Sequence, residues 1–383
     1  MNYEMFDTES KIHISAGLPC VSVLPFNNII KIVSQDLKKE NDSAFLQYGF
    51  TSGYFRFKKL LANFIGSKEK RIVNSKNLYV TNGATHGILF SIISLAKGRA
   101  SVIMERPTYF PMIDLFKELN LNLHFANVDK DGISVGEIRE HLKNISKNQT
   151  VFIHITPYFQ NPTGVCISDD RAKEILEIVK DNINVWLLVD NVYKYLAFEE
   201  DAYNNPFSEN MDRVINIGSF SKIFGPGLRL GWLETDERTI KIMEESGYAQ
   251  SSGGFNPVVS RLVEKIIGSG KIDEIIETWI DFLKTKQKEL TAEIKKSFPE
   301  ANFYIPGGGY YIWTDLKNDL IANSEFRQFV KNKKDVIYVP GTKCAGDNDY
   351  CRTYLRLGFA TYSDDRLIKG IRRLREAFEE FTI

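Results

Sequence analysis

The sequence has few of the features that mark metal centres, membrane proteins or nucleic-acid-binding proteins. Its 49 basic and 49 acidic residues cancel, so no net charge attracts nucleic acid or an anionic membrane. The five histidines lack the spacing of zinc ligands, so no metal is expected. No apolar run approaches membrane-spanning length, and the first fifteen residues contain no signal-peptide core. Composition therefore gives no reason to expect a nucleic-acid-binding protein, a membrane protein or a zinc site.

Cysteine is also scarce. Cys20, Cys166, Cys344 and Cys351 are the four cysteines, and no two of them form a CxxC pair. Secreted disulfide frameworks and redox dithiols show closer and more regular spacing. We therefore expect four reduced thiols in a cytoplasmic protein.

What the chain does contain is an alternation of short apolar runs and helical patterns. A length of 383 residues suggests one large and one smaller domain. Strands are predicted at 78–81, 101–104, 151–155, 185–189 and 214–217, with helices between several of them. Such alternation indicates an α/β domain with a mostly parallel sheet, whose ligands bind beyond the carboxyl ends of the strands. A long amphipathic pattern from Ile272 onward places a domain boundary near residue 270.

The turn after the strand at 214–217 carries the most informative lysine. Lys222 follows Ser219 and Ser221, and a bend rich in glycine and proline leads to Arg229. Most lysines are solvated surface groups, but an amine that attacks an aldehyde must be partly neutral, which burial or nearby positive charge favours. The planar fork of arginine suits a phosphate dianion. The segment therefore predicts covalent attachment of an aldehyde cofactor that carries a phosphate.

Charged or anion-binding groups are predicted at other points. Gly83, Ala84 and Thr85 lie in a turn before a helix, where free N–H groups favour an anion, although such turns also serve packing. Asp190 ends an apolar strand, and its carboxylate needs a cation unless it caps a helix. Arg356 lies between two leucines, where an anion or an internal salt bridge must meet it.

Further strand ends carry turn-forming and aromatic residues. Asn161 lies in the string PYFQNPTG at 157–164, which on its own indicates only a turn. Tyr109 and Tyr193 follow strands in the strings ERPTY and DNVY. Aromatic residues in such places usually belong to the core.

Taken together and in order, these segments resemble the class I/II aminotransferases, which are fold-type I enzymes dependent on pyridoxal 5'-phosphate (PLP). The similarity covers about residues 15 to 360 and is closest to the branch of kynurenine and 2-aminoadipate aminotransferases, which MocR-like regulators share. The resemblance implies an α/β fold. A three-layer α/β/α large domain with a mostly parallel sheet is expected at 41–270, and a smaller α+β domain is expected from 1–40 together with 271–383.

The resemblance also implies site residues. Lys222 would hold PLP as a Schiff base and act with Asp190 and Tyr109 in catalysis. Gly17, Asn161 and Arg356 would bind the substrate, and Tyr48 would reach the phosphate of the other subunit in a homodimer with shared active sites. The residues implied to bind the cofactor are Tyr48, Gly83, Ala84, Thr85, Tyr109, Asn161, Asp190, Tyr193, Ser219, Ser221, Lys222 and Arg229.

The reaction that follows is transamination between an L-amino acid and a 2-oxo acid, with no nucleic acid or membrane as partner. Elimination, replacement or cyclisation on the same fold is the alternative. The short segment before Gly17 and the string GTKC at 341–344 motivate it, because both depart from the family pattern near the expected substrate pocket. A non-enzymatic sensor like the MocR regulators is disfavoured, since only about 40 residues precede Tyr48 and an upstream DNA-binding domain needs more.

Overall fold

The structure is a computed structural model that describes residues 11–37, 46–199, 206–209 and 211–381. The expected N-terminal part of the small domain, 1–40, therefore lies partly outside the described residues. The strands are β1 Ile12–His13, β2 Leu78–Thr81, β3 Ala100–Arg106, β4 Asn122–Asp129, β5 Gly132–Ile133, β6 Thr150–Ile155, β7 Val185–Asp190, β8 Val214–Ser219, β9 Gly231–Glu234, β10 Asn302–Phe303, β11 Tyr311–Asp315, β12 Val336–Ile337, β13 Val339–Pro340 and β14 Tyr354–Gly358.

The described helices surround these strands. They are α1 Phe26–Leu37, α2 Phe55–Glu69, α3 Ala84–Leu95, α4 Phe110–Glu118, α5 Val135–Asn144, α6 Asp169–Asp181, α7 Glu237–Glu244, α8 Gly247–Ser252, α9 Pro257–Gly268, α10 Lys271–Ser297, α11 Ser324–Lys333, α12 Gly341–Ala345 and α13 Arg366–Glu380.

The largest sheet has the strand order β2-β9-β8-β7-β6-β3-β4-β5. The five central strands, β8, β7, β6, β3 and β4, pair in parallel, whereas β9 runs antiparallel to both of its neighbours and β5 closes the far edge in an antiparallel hairpin with β4. The sheet is thus mostly parallel, as the sequence predicted. The carboxyl ends of β3, β6, β7 and β8 lie at one edge, where the predicted site residues follow them.

Alternate side chains of these strands enter two separate cores. Against α3 and α4 lie Val102, Met104, Phe152, Leu188 and Ile215. Against α5 and α6 lie Ile103, Ile153, Leu187, Val189 and Val214. Because helices cover both faces, the strands read as nearly continuous apolar runs, and the sheet forms the middle of three layers.

A second, antiparallel sheet has the order β10-β11-β14-β13 and is reached through the 27-residue helix α10. In addition β1 pairs in parallel with β12, with Ile12 opposite Val336 and His13 opposite Ile337. The described N-terminal segment therefore packs with the C-terminal part of the chain. The domain limits 41–270 and 271–383 stay a prediction.

None of the helices in the described ranges combines the length and the apolar character needed to cross a membrane.

Candidate active site

The carboxyl edge of the large sheet opens into a cavity of about 930 Å³ that the second sheet and the N-terminal segment complete. A volume of this size is typical of small-molecule and cofactor sites. Residues that the sequence singled out form much of its wall, namely Gly17, Ala84, Thr85, Tyr109, Asn161, Asp190, Tyr193, Ser219, Ser221, Lys222, Arg229 and Arg356. The structure thus brings together residues that lie up to 339 positions apart in the sequence.

Lys222 lies in the turn directly after β8. Its backbone carbonyl accepts hydrogen bonds from Trp279 Nε1 at 2.9 Å and from Tyr310 Oη at 2.8 Å, which anchor the turn to α10 and to the second sheet. Its ammonium donates to the carbonyl oxygen of Gly17 at 2.8 Å. Burial, followed by the charge of Arg356, lowers the pKa of Lys222 to about 8. A substantial fraction of neutral amine is therefore available at mildly alkaline pH, as attack on an aldehyde requires.

Asp190 is the last residue of β7 and is buried. One carboxylate oxygen accepts a hydrogen bond from the Val192 N–H at 3.3 Å. Burial raises the pKa of Asp190 to about 7, although that N–H and the charge of Lys222 oppose the shift. The site therefore holds a buried carboxyl group whose ionised form would be favoured by a cation bound in the cavity.

The residues expected to bind phosphate meet at the N-terminus of α3. Gly83 precedes this helix with φ of 90°, and a Cβ there would lie 3.0 Å from Nη2 of Arg229. The Arg229 guanidinium also donates to the carbonyl of Asn82 at 3.3 Å. Ser221 N–H donates to Ser219 Oγ at 3.1 Å, and the two hydroxyls lie 3.0 Å apart. An arginine, two hydroxyls and a helix N-terminus form a site suited to a phosphate.

Arg356 lies on β14 and is 5% exposed. Its Nη1 donates to Asn161 Oδ1 at 3.0 Å and its Nη2 to the Ser15 carbonyl at 3.1 Å. Its Nε has no hydrogen-bond partner among the described residues. Asn161 Nδ2 in turn donates to Tyr193 Oη at 3.4 Å. A buried guanidinium that meets only neutral acceptors is suited to bind an anion such as a carboxylate.

Three of the residues named from the sequence lie elsewhere. Gly83 does not line the cavity; a Cβ at this position would approach the Arg229 guanidinium. Tyr48 does not line the cavity either; it is 82% exposed. Cys344, near which the substrate side chain was expected, is fully buried outside the wall, and burial raises the pKa of its thiol to about 11. Of the two segments expected near the substrate, the N-terminal one does face the cavity, because the residues from Lys11 to Leu18 line it, except for Ile12 and Ile14.

The sequence analysis missed two wall residues that shape the arginine site. The Tyr311 ring lies 4.4 Å from the Arg356 guanidinium carbon, and its hydroxyl abuts Gly17 so closely that a Cβ at residue 17 would lie 1.6 Å from it. Ser15 Oγ accepts a hydrogen bond from the Val339 N–H at 2.9 Å. The glycine run at 307–309 before Tyr310 was the available signal, because it indicates close backbone approach.

These groups fit PLP by their own chemistry. The cavity offers an amine with a lowered pKa, which suits an aldehyde, and a buried carboxyl at the end of β7, which suits a pyridine nitrogen. The anion site at the N-terminus of α3 suits a phosphate. Within the described ranges, no three His, Cys, Asp or Glu side chains are arranged to hold a metal ion.

Comparison with known proteins agrees with this geometry. The aromatic-amino-acid aminotransferase 1 of Thermococcus litoralis is 26% identical over 98% of this chain and 90% of its own length. The solved kynurenine aminotransferase of Pyrococcus horikoshii is 26% identical, with a TM-score of 0.84 over 99% of this chain and 93% of that one. The HTH-type transcriptional regulator NorG of Staphylococcus aureus is 24% identical over 94% of this chain and 78% of its length.

The family description "Aminotransferase class I and II" matches residues 11–374, which is nearly the whole chain. Members of this family use PLP and act on amino acids and 2-oxo acids. The expected family, fold class and transaminase activity are thereby confirmed, and no finding favours elimination or cyclisation. The chain belongs to the class I and II aminotransferases.

Proposed function

We propose that this chain binds PLP through Lys222 and transfers an amino group between an L-amino acid and a 2-oxo acid in the cavity at the carboxyl edge of the large sheet. The observation that carries the proposal is the convergence of Lys222, Asp190 and Arg356 on one cavity. The first offers an amine, the second a carboxylate and the third a guanidinium, which are the groups that the reaction needs. We infer that Ala84, Thr85, Ser219, Ser221 and Arg229 hold the phosphate.

When bound, PLP supplies an aldehyde and an electron-accepting ring that allows the substrate Cα–H bond to ionise. Asp190 would lie at the pyridine nitrogen and favour its protonated form, because a buried carboxylate favours a neighbouring positive charge. Tyr109 would pack against the ring, and Asn161 and Tyr193 would donate hydrogen bonds to its phenolate oxygen.

Arg356 binds the substrate α-carboxylate and orients the Cα–H bond. Its Nε is free of protein partners among the described residues, so the side chain has donor capacity left for a carboxylate. Lys222 accepts the proton from the substrate Cα as a general base and later returns a proton as a general acid. Its lowered pKa suits both roles, because the amine and the ammonium are then both populated near neutral pH.

We further propose a homodimer in which Tyr48 of one subunit completes the phosphate site of the other. The supporting observation is that Leu46, Phe50 and Phe55, which lie close to Tyr48 in the sequence and form with it what we call the apolar band, all have exposed side chains. Large apolar side chains exposed in one short segment favour an interaction site. Tyr48 lies outside the cavity wall of its own subunit, which agrees with a role in a neighbouring one.

The test is a scan of L-amino acids with the PLP-loaded protein, in which the 2-oxo acid product and the pyridoxamine form of the cofactor are quantified together. We expect equal amounts of both from at least one amino acid, and no product from Lys222→Ala. Circular dichroism of that variant shows whether it folds. Ammonia release without the pyridoxamine form would instead indicate elimination, and binding without any product would indicate a sensor like the regulator relatives.

A further inference from the structure

Glu105 is a buried carboxyl group that the proposed function does not use. It is the next-to-last residue of β3, it is 3% exposed, and it lies behind the cavity wall rather than in it. Burial raises the pKa of Glu105 to about 8, and the charge of Asp190 adds to this rise. Burying a carboxyl group is unfavourable unless hydrogen bonds satisfy its oxygens, so its partners indicate what it does there.

Two partners of Glu105 belong to segments that reach the cavity. Its Oε2 accepts hydrogen bonds from the Thr156 N–H at 3.1 Å and from Gln160 Nε2 at 3.2 Å. Thr156 follows β6 and lines the cavity, and Gln160 precedes Asn161, which lines it as well. One carboxyl oxygen thus joins the end of β6 to the turn that carries Asn161.

The Gln160 side chain uses its full hydrogen-bonding capacity. Nε2 donates to the Pro107 carbonyl at 2.8 Å in addition to Glu105, and Oε1 accepts from the N–H and the hydroxyl of Thr163 at 2.9 and 2.7 Å. A carboxamide has two N–H donors and two acceptor lone pairs, and each of them is paired here. Because Gln160 is 2% exposed, water has little access to it. Loss of Glu105 would therefore leave a buried donor unpaired.

The Asn161 amide depends on a defined orientation. Its Oδ1 accepts a hydrogen bond from Arg356 Nη1 at 3.0 Å, and its Nδ2 donates to Tyr193 Oη at 3.4 Å. A reversed amide would set an N–H group against the guanidinium, which has donors only. The backbone that carries Asn161 begins at Gln160, whose carbonyl accepts the Gly164 N–H at 2.6 Å. The position of Gln160 therefore sets where the Asn161 amide lies.

We propose that Glu105 is a positioning residue for the reaction. Through Gln160 it holds the turn that carries Asn161, and it thereby keeps the Asn161 amide in the orientation that serves both Arg356 and the cofactor. The inference rests on the proposed function, which assigns Asn161 to the phenolate oxygen of PLP. Glu105 does not line the cavity, so it acts only through the residues that it holds.

The test follows the visible absorbance of the PLP-loaded protein, whose pH dependence reports the pKa of the lysine–cofactor linkage. A hydrogen bond to the phenolate oxygen favours the deprotonated linkage, so misplacement of Asn161 should raise this pKa. We expect Glu105→Met to raise it by roughly one pH unit, and Glu105→Gln, which keeps an acceptor, to raise it by about half as much or less. Removal of a negative charge alone would lower the pKa, so the direction separates the two effects.

A double variant shows whether Glu105 acts through Asn161. In an Asn161→Ala background, Glu105→Met should change the pKa no further, because the group that it positions is already absent. The control is Glu293→Met, which removes a carboxylate that is 6% exposed and accepts from Arg372 Nη2 at 2.9 Å and Ser297 Oγ at 2.8 Å. None of these three residues lines the cavity, so the pKa of the linkage should stay unchanged. Urea unfolding of each variant records the change in stability separately.

Gln160→Met breaks the same link from its other end and should shift the pKa in the same direction, and it decides the matter if Glu105→Met does not fold. An unchanged or lowered pKa in these variants, or a shift that persists in the Asn161→Ala background, would overturn the positioning role and leave the proposed function intact. A wild-type protein without a lysine-linked chromophore would refute the proposed function, and this inference with it.

Discussion

Gly17 connects the N-terminal segment to the cofactor lysine, because its carbonyl accepts the hydrogen bond from Lys222 and its α-carbon faces Tyr311. Gly17→Ala would place a Cβ 1.6 Å from Tyr311 Oη, so the loop must move. We expect kcat/KM to fall by about tenfold to 100-fold, since small displacements of positioning groups have effects of this size. Steady-state kinetics measure it. Gly247→Ala is the control, because a Cβ there meets no atom within 4 Å, and equal kinetics of the two variants would contradict the account.

Asp190 couples stability to pH in the cofactor-free protein. Its pKa is near 4 in an unfolded chain and about 7 in the folded protein. Folding therefore becomes less favourable as the pH rises from about 4 to about 7, and above this range the full free-energy cost of burying the carboxylate is present. Asp190→Asn removes that cost. We expect the variant without PLP to be more stable at pH 8 by roughly 2 kcal/mol, with a smaller difference at pH 5.

Urea unfolding at the two pH values measures the effect. Transamination by the same variant should fall about 100-fold or more, because the ring loses its anionic partner. A wild-type protein that is more stable than Asp190→Asn at pH 8 would show that the carboxylate already has a cationic partner in the cofactor-free fold.

Single residues were predictable from the sequence where a side chain is chemically out of place in its surroundings. Lys222 in a glycine-rich turn, Asp190 after an apolar strand and Arg356 between leucines each need a partner, and the structure places all three on one cavity. Tyr311 and His13 gave no such signal, because their position depends on how the second sheet and the N-terminal segment pack over the first. The roles of the site residues remain predictions.

At the scale of elements, long apolar strands were predictable and short or half-buried ones were not. β6, β7 and β8 are apolar runs covered on both faces, which the sequence displays directly. The antiparallel β9 has four residues and follows the cofactor motif without a pattern of its own, so neither its existence nor its direction could be read. β4 is only half-buried along most of its length, which weakens its apolar signal.

A buried ion-pair network fixes the loop that follows β7. Lys194 lies 2.6 Å from Glu69 at the end of α2, and Arg71 pairs with Glu69 at 2.8 Å and with Glu234 of β9 at 2.6 Å. The Tyr195 hydroxyl also donates to Glu69 at 2.8 Å. The network therefore ties α2 and β9 to the segment that contains Tyr193.

Lys194→Met keeps much of the side-chain volume but leaves Glu69 buried with one cation fewer. We expect the free energy of unfolding to decrease by about 3 kcal/mol, as removal of one member of a buried pair does. The control is Lys173→Met, whose exposed partner Asp170 lies 3.5 Å away and should contribute almost nothing. Chemical denaturation measures the free energy of unfolding of both variants. Similar decreases in the two would show that the buried network contributes no more to stability than a surface ion pair.

At the scale of the whole molecule, the account predicts a dimer held in part by the apolar band around Tyr48. Phe50→Asp introduces a charge into that band and should give a folded monomer with little transaminase activity, because each site loses the partner subunit's tyrosine. Light scattering after size exclusion measures the mass. The control is Ile183→Asp, because Ile183 is 86% exposed and lies in the loop before β7, at the edge of the sheet opposite the cavity. This variant should remain dimeric. A wild-type monomer with full activity would refute the shared site.

The central claim is that Lys222 holds the cofactor. Borohydride reduction of the PLP-loaded protein, followed by proteolysis and mass spectrometry, tests it most directly, because reduction makes a lysine–pyridoxal linkage permanent. We predict that the pyridoxyl group is found on Lys222 alone and that Lys222→Ala carries no label. A label on another lysine of the native protein, or none at all, would contradict the account.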